Sequence, residues 1–182
     1  MSLEKLKKDL VRLGRFGRKN EELIENFEDL DKDSGITRYS GSEADKKARD
    51  YIVQLMKEEG MEVKIDKVGN IFGIKEGSDP DLKSILVGSH IDTVTNGGMF
   101  DGALGVVSGI EAVRILKEEE FDNKRPIEVV VYTAEEGSSF PKSLLGSSFL
   151  IGDISVEEAL ETENEEGETL EEVLEKIGYK GD

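Results

Sequence analysis

Cysteine is absent from the 182 residues, which removes disulfides, thiolate metal sites and a cysteine nucleophile together. Histidine occurs once, at position 90, so imidazole chemistry is confined to one place. No apolar run approaches the roughly twenty residues a membrane helix needs. The N-terminus is charged from Glu4 and has no apolar core of a secretory signal, so a cytoplasmic protein is expected. Positive charge is scarce: the formal net charge is -17, which argues against nucleic acid and anionic membranes as partners, since both reward a basic face. There is no G-x-S-x-G, and Gly97, Gly98, Gly102 and Gly105 form neither a dinucleotide fingerprint nor a P-loop, which sets aside serine hydrolase and mononucleotide-binding readings.

What is present is a soluble globular composition, 36% apolar and 36% charged, in a length that suits one domain with a real core. Leu3 to Leu13 and Glu21 to Leu30 carry helical spacing, the second through Leu23, Phe27 and Leu30. The basic residues of the first, Lys5 to Lys19, read as a solvated face. Ser42 to Glu59 predicts a helix, with Ser42 and Asp45 as an acidic capping box and Gly60 as its stop. Met61 to Val68 and Ile71 to Lys75 flank Gly69-Asn70 as a hairpin. A buried central strand is expected at Ser84 to Val87, a helix at Gly102 to Glu119, and a second central strand at Ile127 to Tyr132. The tail holds helical patterns at Val156 to Leu160 and Leu170 to Ile177 around a solvated acidic loop, Glu161 to Glu168. Residues 1–40 thus form a helical lead-in, 41–152 an α/β core and 153–182 an acidic helical tail.

The chemistry gathers after the two strands. The first leads into a glycine-rich turn with His90, Asp92 and Asp101, and the second ends at Glu135-Glu136-Gly137. Neighbouring strands would bring these groups to one sheet edge, where α/β folds place their sites. Imidazole nitrogen and carboxylate oxygen together suit zinc, manganese or cobalt. Adjacent glutamates at a strand end point different ways, so one can ligate while the other moves a proton. Each feature has a plainer reading as a turn former, an N-cap or a solvated acidic turn.

Gly88-Ser89-His90-Ile91-Asp92-Thr93-Val94, Gly97-Gly98-Met99-Phe100-Asp101-Gly102 and Glu135-Glu136-Gly137-Ser138-Ser139-Phe140 resemble the M20 family of metallohydrolases, in its branch of N-carbamoyl-L-amino-acid hydrolases and allantoate amidohydrolases. Gly35 to Ser40, Asp66 to Asn70 and Gly146-Ser147 fit the same branch. The short interval from His90 to Asp101 resembles these amidohydrolases more than the family's aminopeptidases and deacylases, which are the alternative. The resemblance implies a three-layer α/β/α zinc-peptidase-like domain, here its N-terminal part. It also implies two divalent ions, of zinc, manganese, cobalt or nickel: His90 on one, Glu136 on the other and Asp101 bridging. Glu135 would be the general base, and Asp92 would orient His90. The implied reaction is hydrolysis of a ureido or amide C–N bond of an N-carbamoyl or allantoate-like small molecule by a hydroxide shared between the ions.

Members of this branch usually carry arginine where Ser139 and Ser148 stand, and the family supplies further histidines, one in a His-x-Glu-Gln-Gly segment, that this chain does not contain. The lid domain, through which relatives form homodimers, lies outside it as well. The chain alone is expected to hold at most one ion weakly and to be inactive. It would need its missing half or self-associate. The rival expectation is a non-catalytic acidic α/β remnant used in assembly.

Overall fold

A computed structural model describes residues 3–20, 24–32 and 35–182. Four strands form one sheet in the order β1-β2-β4-β3: β1 is Glu62–Ile65, β2 Ile71–Lys75, β3 Ile85–His90 and β4 Ile127–Tyr132. β1 and β2 make the expected antiparallel hairpin, β2 runs antiparallel to β4, and β4 runs parallel to β3 with His90 opposite Tyr132. The architecture is α/β.

The first hairpin strand ends earlier than its alternation suggests. Asp66 Oδ1 accepts from Val68 N at 3.1 Å and Asn70 N at 2.8 Å, a side-chain turn that competes with the ladder. The strand expected at Ser84 to Val87 runs on to His90, so the imidazole stands at the strand's last residue. It is neither central nor buried, since Ile85, Leu86 and Val87 are 53%, 44% and 39% exposed. Among the described residues β3 has β4 on one side and no strand on the other. β4 takes the central place instead, with Val129, Val130 and Val131 fully buried.

Helices α2 (Glu43–Glu58) and α3 (Ala103–Glu118) cover one face of the sheet. A side-chain carbon at Gly73 would meet Met56 of α2, and one at Gly109 would meet Val129 and Val87. α2 begins as its sequence predicts: Ser42 Oγ accepts from Asp45 N at 3.1 Å, while Asp45 Oδ2 takes Gly41 N at 2.9 Å. α1 (Leu3–Arg15) packs on α3 through the stripe that includes Leu10 and Leu13. The basic stretch from Lys5 to Lys19 is not wholly solvated, because Arg18, just past α1, is buried and its Nε donates to the Gly14 carbonyl at 2.9 Å.

Of the helix expected at Glu21 to Leu30, residues 21–23 lie outside the described residues, and the described part holds a short 3-10 helix at Phe27–Lys32. Asp29 Oδ2 accepts from Glu25 N and Asn26 N at 3.2 and 2.9 Å, which satisfies locally the donors an α-helix would use. Leu23 lies outside the described residues, as does the side chain of Leu30. α4 (Leu145–Leu150), α5 (Val156–Leu160) and α6 (Leu170–Ile177) complete the chain. Capping boxes at Ser155/Glu158 and Thr169/Glu172 start the last two. Between them the acidic loop turns on Asn164, whose Oδ1 accepts from Glu166 N and Glu168 N at 3.0 and 2.9 Å.

Buried polar groups tie these layers to the strand ends. Arg38 is fully buried, and its guanidinium donates to the carbonyls of Leu13, Phe16 and Ile91 at 2.9, 2.8 and 2.6 Å. It thereby joins the end of α1 to the residue following His90. Asn70 does the same for the other strand: its Oδ1 accepts from Thr133 N at 2.9 Å, and its Nδ2 donates to Gly146 O at 3.0 Å. Gly146 allows that approach, since a side-chain carbon there would lie 2.2 Å from Asn70 Oδ1.

Candidate metal centre

Parallel pairing of β3 with β4 puts their C-terminal ends side by side, and the ligating atoms of His90, Asp101 and Glu136 fall within 4.8 Å of one another. This is the one group of three such side chains among the described residues. The turn after β3 folds back so that Asp101 Oδ1 lies 3.9 Å from His90 Nε2. Gly102 makes this possible, with φ +61° and a hydrogen where a side-chain carbon would lie 2.6 Å from His90 Nε2. His90 is mostly buried, whereas the Asp101 side chain is 68% exposed.

Asp92 sits beneath the group. Its backbone carbonyl is 3.0 Å from His90 Nδ1 and its carboxylate 3.5 Å, so the carbonyl is the closer partner of the ring. In the neutral ring that donates Nδ1–H there, Nε2 turns its lone pair toward Asp101; the proton it takes up when charged is the one a cation would displace. The Asp92 carboxylate accepts from Glu136 N at 2.9 Å and Glu135 N at 3.4 Å. Burial lowers the His90 pKa, but the hydrogen bond and charge of Asp92, joined by the charge of Glu136, outweigh it and raise it to about 9. Burial pushes Glu136 up, with the charge of His90 opposing and those of Asp101 and Asp92 adding. A cluster of one imidazole and two carboxylates that repel one another is relieved by a divalent cation, and the nitrogen-oxygen donor set suits one.

Glu135 is held apart from this group. Ser147 N donates to its Oε1 and Ser147 Oγ to its Oε2, both at 2.9 Å. Burial pushes the Glu135 carboxyl up, and the two Ser147 bonds oppose it. Ser40 and Ser139 support the same turn: Ala134 N donates to Ser40 Oγ at 3.0 Å and Ser40 N to Ser139 Oγ at 2.8 Å. All five residues expected from the sequence therefore stand together, Glu135 behind Glu136 and Asp92 under both strand ends. Ser147, Ser40 and Asn70 were not assigned site roles from the sequence. The nearest signal was their membership of the recurring motifs, since Ser147 lies twelve residues from Glu135 and no local pattern links them.

Comparison with known proteins bears on the same residues. A model described as peptidase family M28 matches residues 70–164, which spans the whole group. The chain belongs to peptidase family M28. Among relatives of this M28 chain, an N-carbamoyl-L-amino acid amidohydrolase of Geobacillus stearothermophilus is 42% identical over 148 residues, 81% of this chain and 36% of that protein. A ureidoglycolate hydrolase of Arabidopsis thaliana is 38% identical over 161 residues, 87% of this chain and 34% of that protein. The crystal structure of a hydantoinase/carbamoylase family amidase from Burkholderia ambifaria superposes with a TM-score of 0.88 at 33% identity, covering 98% of this chain and 41% of that one. The chain thus spans well under half the length of these relatives. No helix among the described residues is long and apolar enough to cross a membrane.

Proposed function

We propose that this chain carries the metal-binding part of an amidohydrolase of the M20-type hydantoinase/carbamoylase branch, which hydrolyses a C–N bond of an N-carbamoyl amino acid or a ureido acid. The observation that carries the reading is the convergence of His90, Asp101 and Glu136 at two strand ends, with Glu135 set beside them. His90, Asp101 and Glu136 would hold the ion, and Asp101, the most exposed, is the one with room to share a second. A bound divalent ion supplies polarisation of the substrate carbonyl and a lowered pKa for water.

The chain's own groups do the rest. Asp92 fixes the His90 ring through its carbonyl and the backbone of both glutamates through its carboxylate. Glu135, raised by burial, accepts a proton from the attacking water and delivers it to the leaving nitrogen; each of its oxygens keeps a lone pair beyond the one Ser147 uses. The 182-residue chain by itself is proposed to bind one ion weakly and not to turn over.

Calorimetric titration with Zn2+ or Mn2+ tests the site: binding heat in the native chain that vanishes in His90→Ala supports it, and identical heats overturn it. The substrate class is tested in a chimera in which this chain replaces the matching part of the Geobacillus stearothermophilus protein. Ammonia released from N-carbamoyl amino acids, and lost in Glu135→Gln, supports the reading; cleavage of dipeptides alone would point to an aminopeptidase. The exposed edge of β3 favours a second reading, an assembly module without catalysis. A chimera that turns over excludes it.

A further inference from the structure

We propose that Ser147 decides which of two adjacent glutamates meets the metal, holding Glu135 back so that Glu136 alone completes the group with His90 and Asp101. This rests on the reading of that group as a metal site. Glu135 and Glu136 are the same side chain on consecutive residues, and their backbone N–H groups share one anchor in Asp92. Chemistry at the carboxyl does not distinguish them, and neither does their anchorage. What differs is that both Glu135 oxygens are engaged by Ser147, one by the backbone N–H and one by the hydroxyl.

Ser147 is itself fixed against that turn. The first amides of α4 donate to the strand exit, Gly146 N to Thr133 O at 2.9 Å, Leu145 N to Ala134 O at 3.2 Å and Leu144 N to Glu135 O at 3.1 Å. The hydroxyl has one proton and two acceptors in reach, Glu135 Oε2 at 2.9 Å and Leu144 O at 3.4 Å. The shorter contact takes it. Removing the hydroxyl leaves one Glu135 oxygen without a donor beside a cation site that prefers carboxylates, and the side chain swings toward it. Ser147 is thus a positioning residue, acting through Glu135.

The experiment is titration of the full chain with Co2+, reading the visible d–d absorption and the affinity. In Ser147→Ala the band changes shape and weakens as a further oxygen joins the cation, and affinity rises by on the order of ten-fold, the lower end of what outer partners of a metal site change. Ser147→Thr, which restores the hydroxyl, returns the native spectrum, as does the double variant Ser147→Ala with Glu135→Gln. Glu135→Gln alone leaves the spectrum native, and this arm does not depend on whether Ser147→Ala folds. A native spectrum and affinity in Ser147→Ala overturn the inference. So does a change that persists in the double variant, or a changed spectrum in Glu135→Gln alone. A native chain that takes up no Co2+ overturns the metal reading itself, and the inference with it.

Discussion

Gly102→Ala tests whether the turn after β3 exists to seat the imidazole. An alanine there meets two penalties. At φ +61° and ψ -52° the backbone lies near the strained γ-turn region, which costs an L-residue about 1–3 kcal/mol. The added carbon would also stand 2.5 Å from His90 O and 2.6 Å from His90 Cε1 and Nε2, about 1 Å inside the roughly 3.5 Å of normal contact. The carbonyl belongs to a strand paired with β4 and cannot give, so the ring must. The expected loss of stability is about 2–3 kcal/mol, which for a chain of this size lowers Tm by roughly 4–12 °C.

Because the clash falls on Nε2, the nitrogen facing Asp101, Zn2+ affinity is expected to fall by about ten- to a hundred-fold. Circular dichroism melts and calorimetric Zn2+ titration at a temperature where both proteins are folded measure the two effects separately. Gly98→Ala is the control, since a side-chain carbon at Gly98 meets nothing within 4 Å. Native Zn2+ affinity in Gly102→Ala would refute the argument, as would an equal loss in Gly98→Ala.

Asn70→Ala leaves the buried Thr133 N–H without its acceptor and is expected to cost about 3 kcal/mol in urea unfolding; a change within the ~0.5 kcal/mol of ordinary surface substitutions counts against the bridge between β4 and α4. Arg114→Met leaves Asp9, Glu59 and Glu111, which its guanidinium joins, as facing carboxylates with only the more exposed Lys117 beside Glu59. Loss of about 3–5 kcal/mol is expected, and a native urea midpoint would show that the network is worth nothing. Burial alone would raise the Glu59 pKa, but hydrogen bonding and charge from Arg114 and then Lys117 bring it below its ordinary value of 4.5. With the folded pKa depressed, Glu59 contributes stability above its unfolded value that is lost as pH falls through the folded one. Glu59→Gln should therefore flatten the decline of urea midpoints in acid; parallel curves for the two proteins would sink this assignment.

The helices α2 and α3 and the strand β4 were legible because each buries one face or all of its length, and burial writes a period into the sequence. The convergence of His90, Asp101, Glu135 and Glu136 was legible for a related reason: each follows a strand that the pattern marks, and parallel strands deliver their ends to one edge. The rank of β3 was not legible. Ile85, Leu86 and Val87 read as a buried run, yet sheet order depends on which strands pair, and no residue within β3 records its neighbour. Asp29 and Asp66 turn the backbone by side-chain bonds where the pattern reads as helix and strand, a competition visible only once the turn geometry is known. Arg38 read as part of a polar loop and is fully buried, because its acceptors come from carbonyls 22 to 53 residues away.

The same distinction explains what holds the site in shape. Three side chains that repel or compete would drift apart if each depended on its own loop. Here the two loops share one buried carboxylate: Asp92 stands on the exit of β3, two residues past His90, and its oxygens take the amides at the exit of β4. Any motion of the Glu136 backbone away from β3 must break the 2.9 Å bond from its N–H to Asp92, inside a region where Asp92 is 2% exposed and water cannot readily replace the lost partner. The ring of His90 leans on the carbonyl of that same residue. Asp92 therefore sets the distance between His90 and Glu136, which come from different strands, a role that requires a short acidic side chain at the end of the first strand and bare amides at the end of the second. Glutamate at that position would lengthen the link by one methylene and leave one of the two strand ends without its partner.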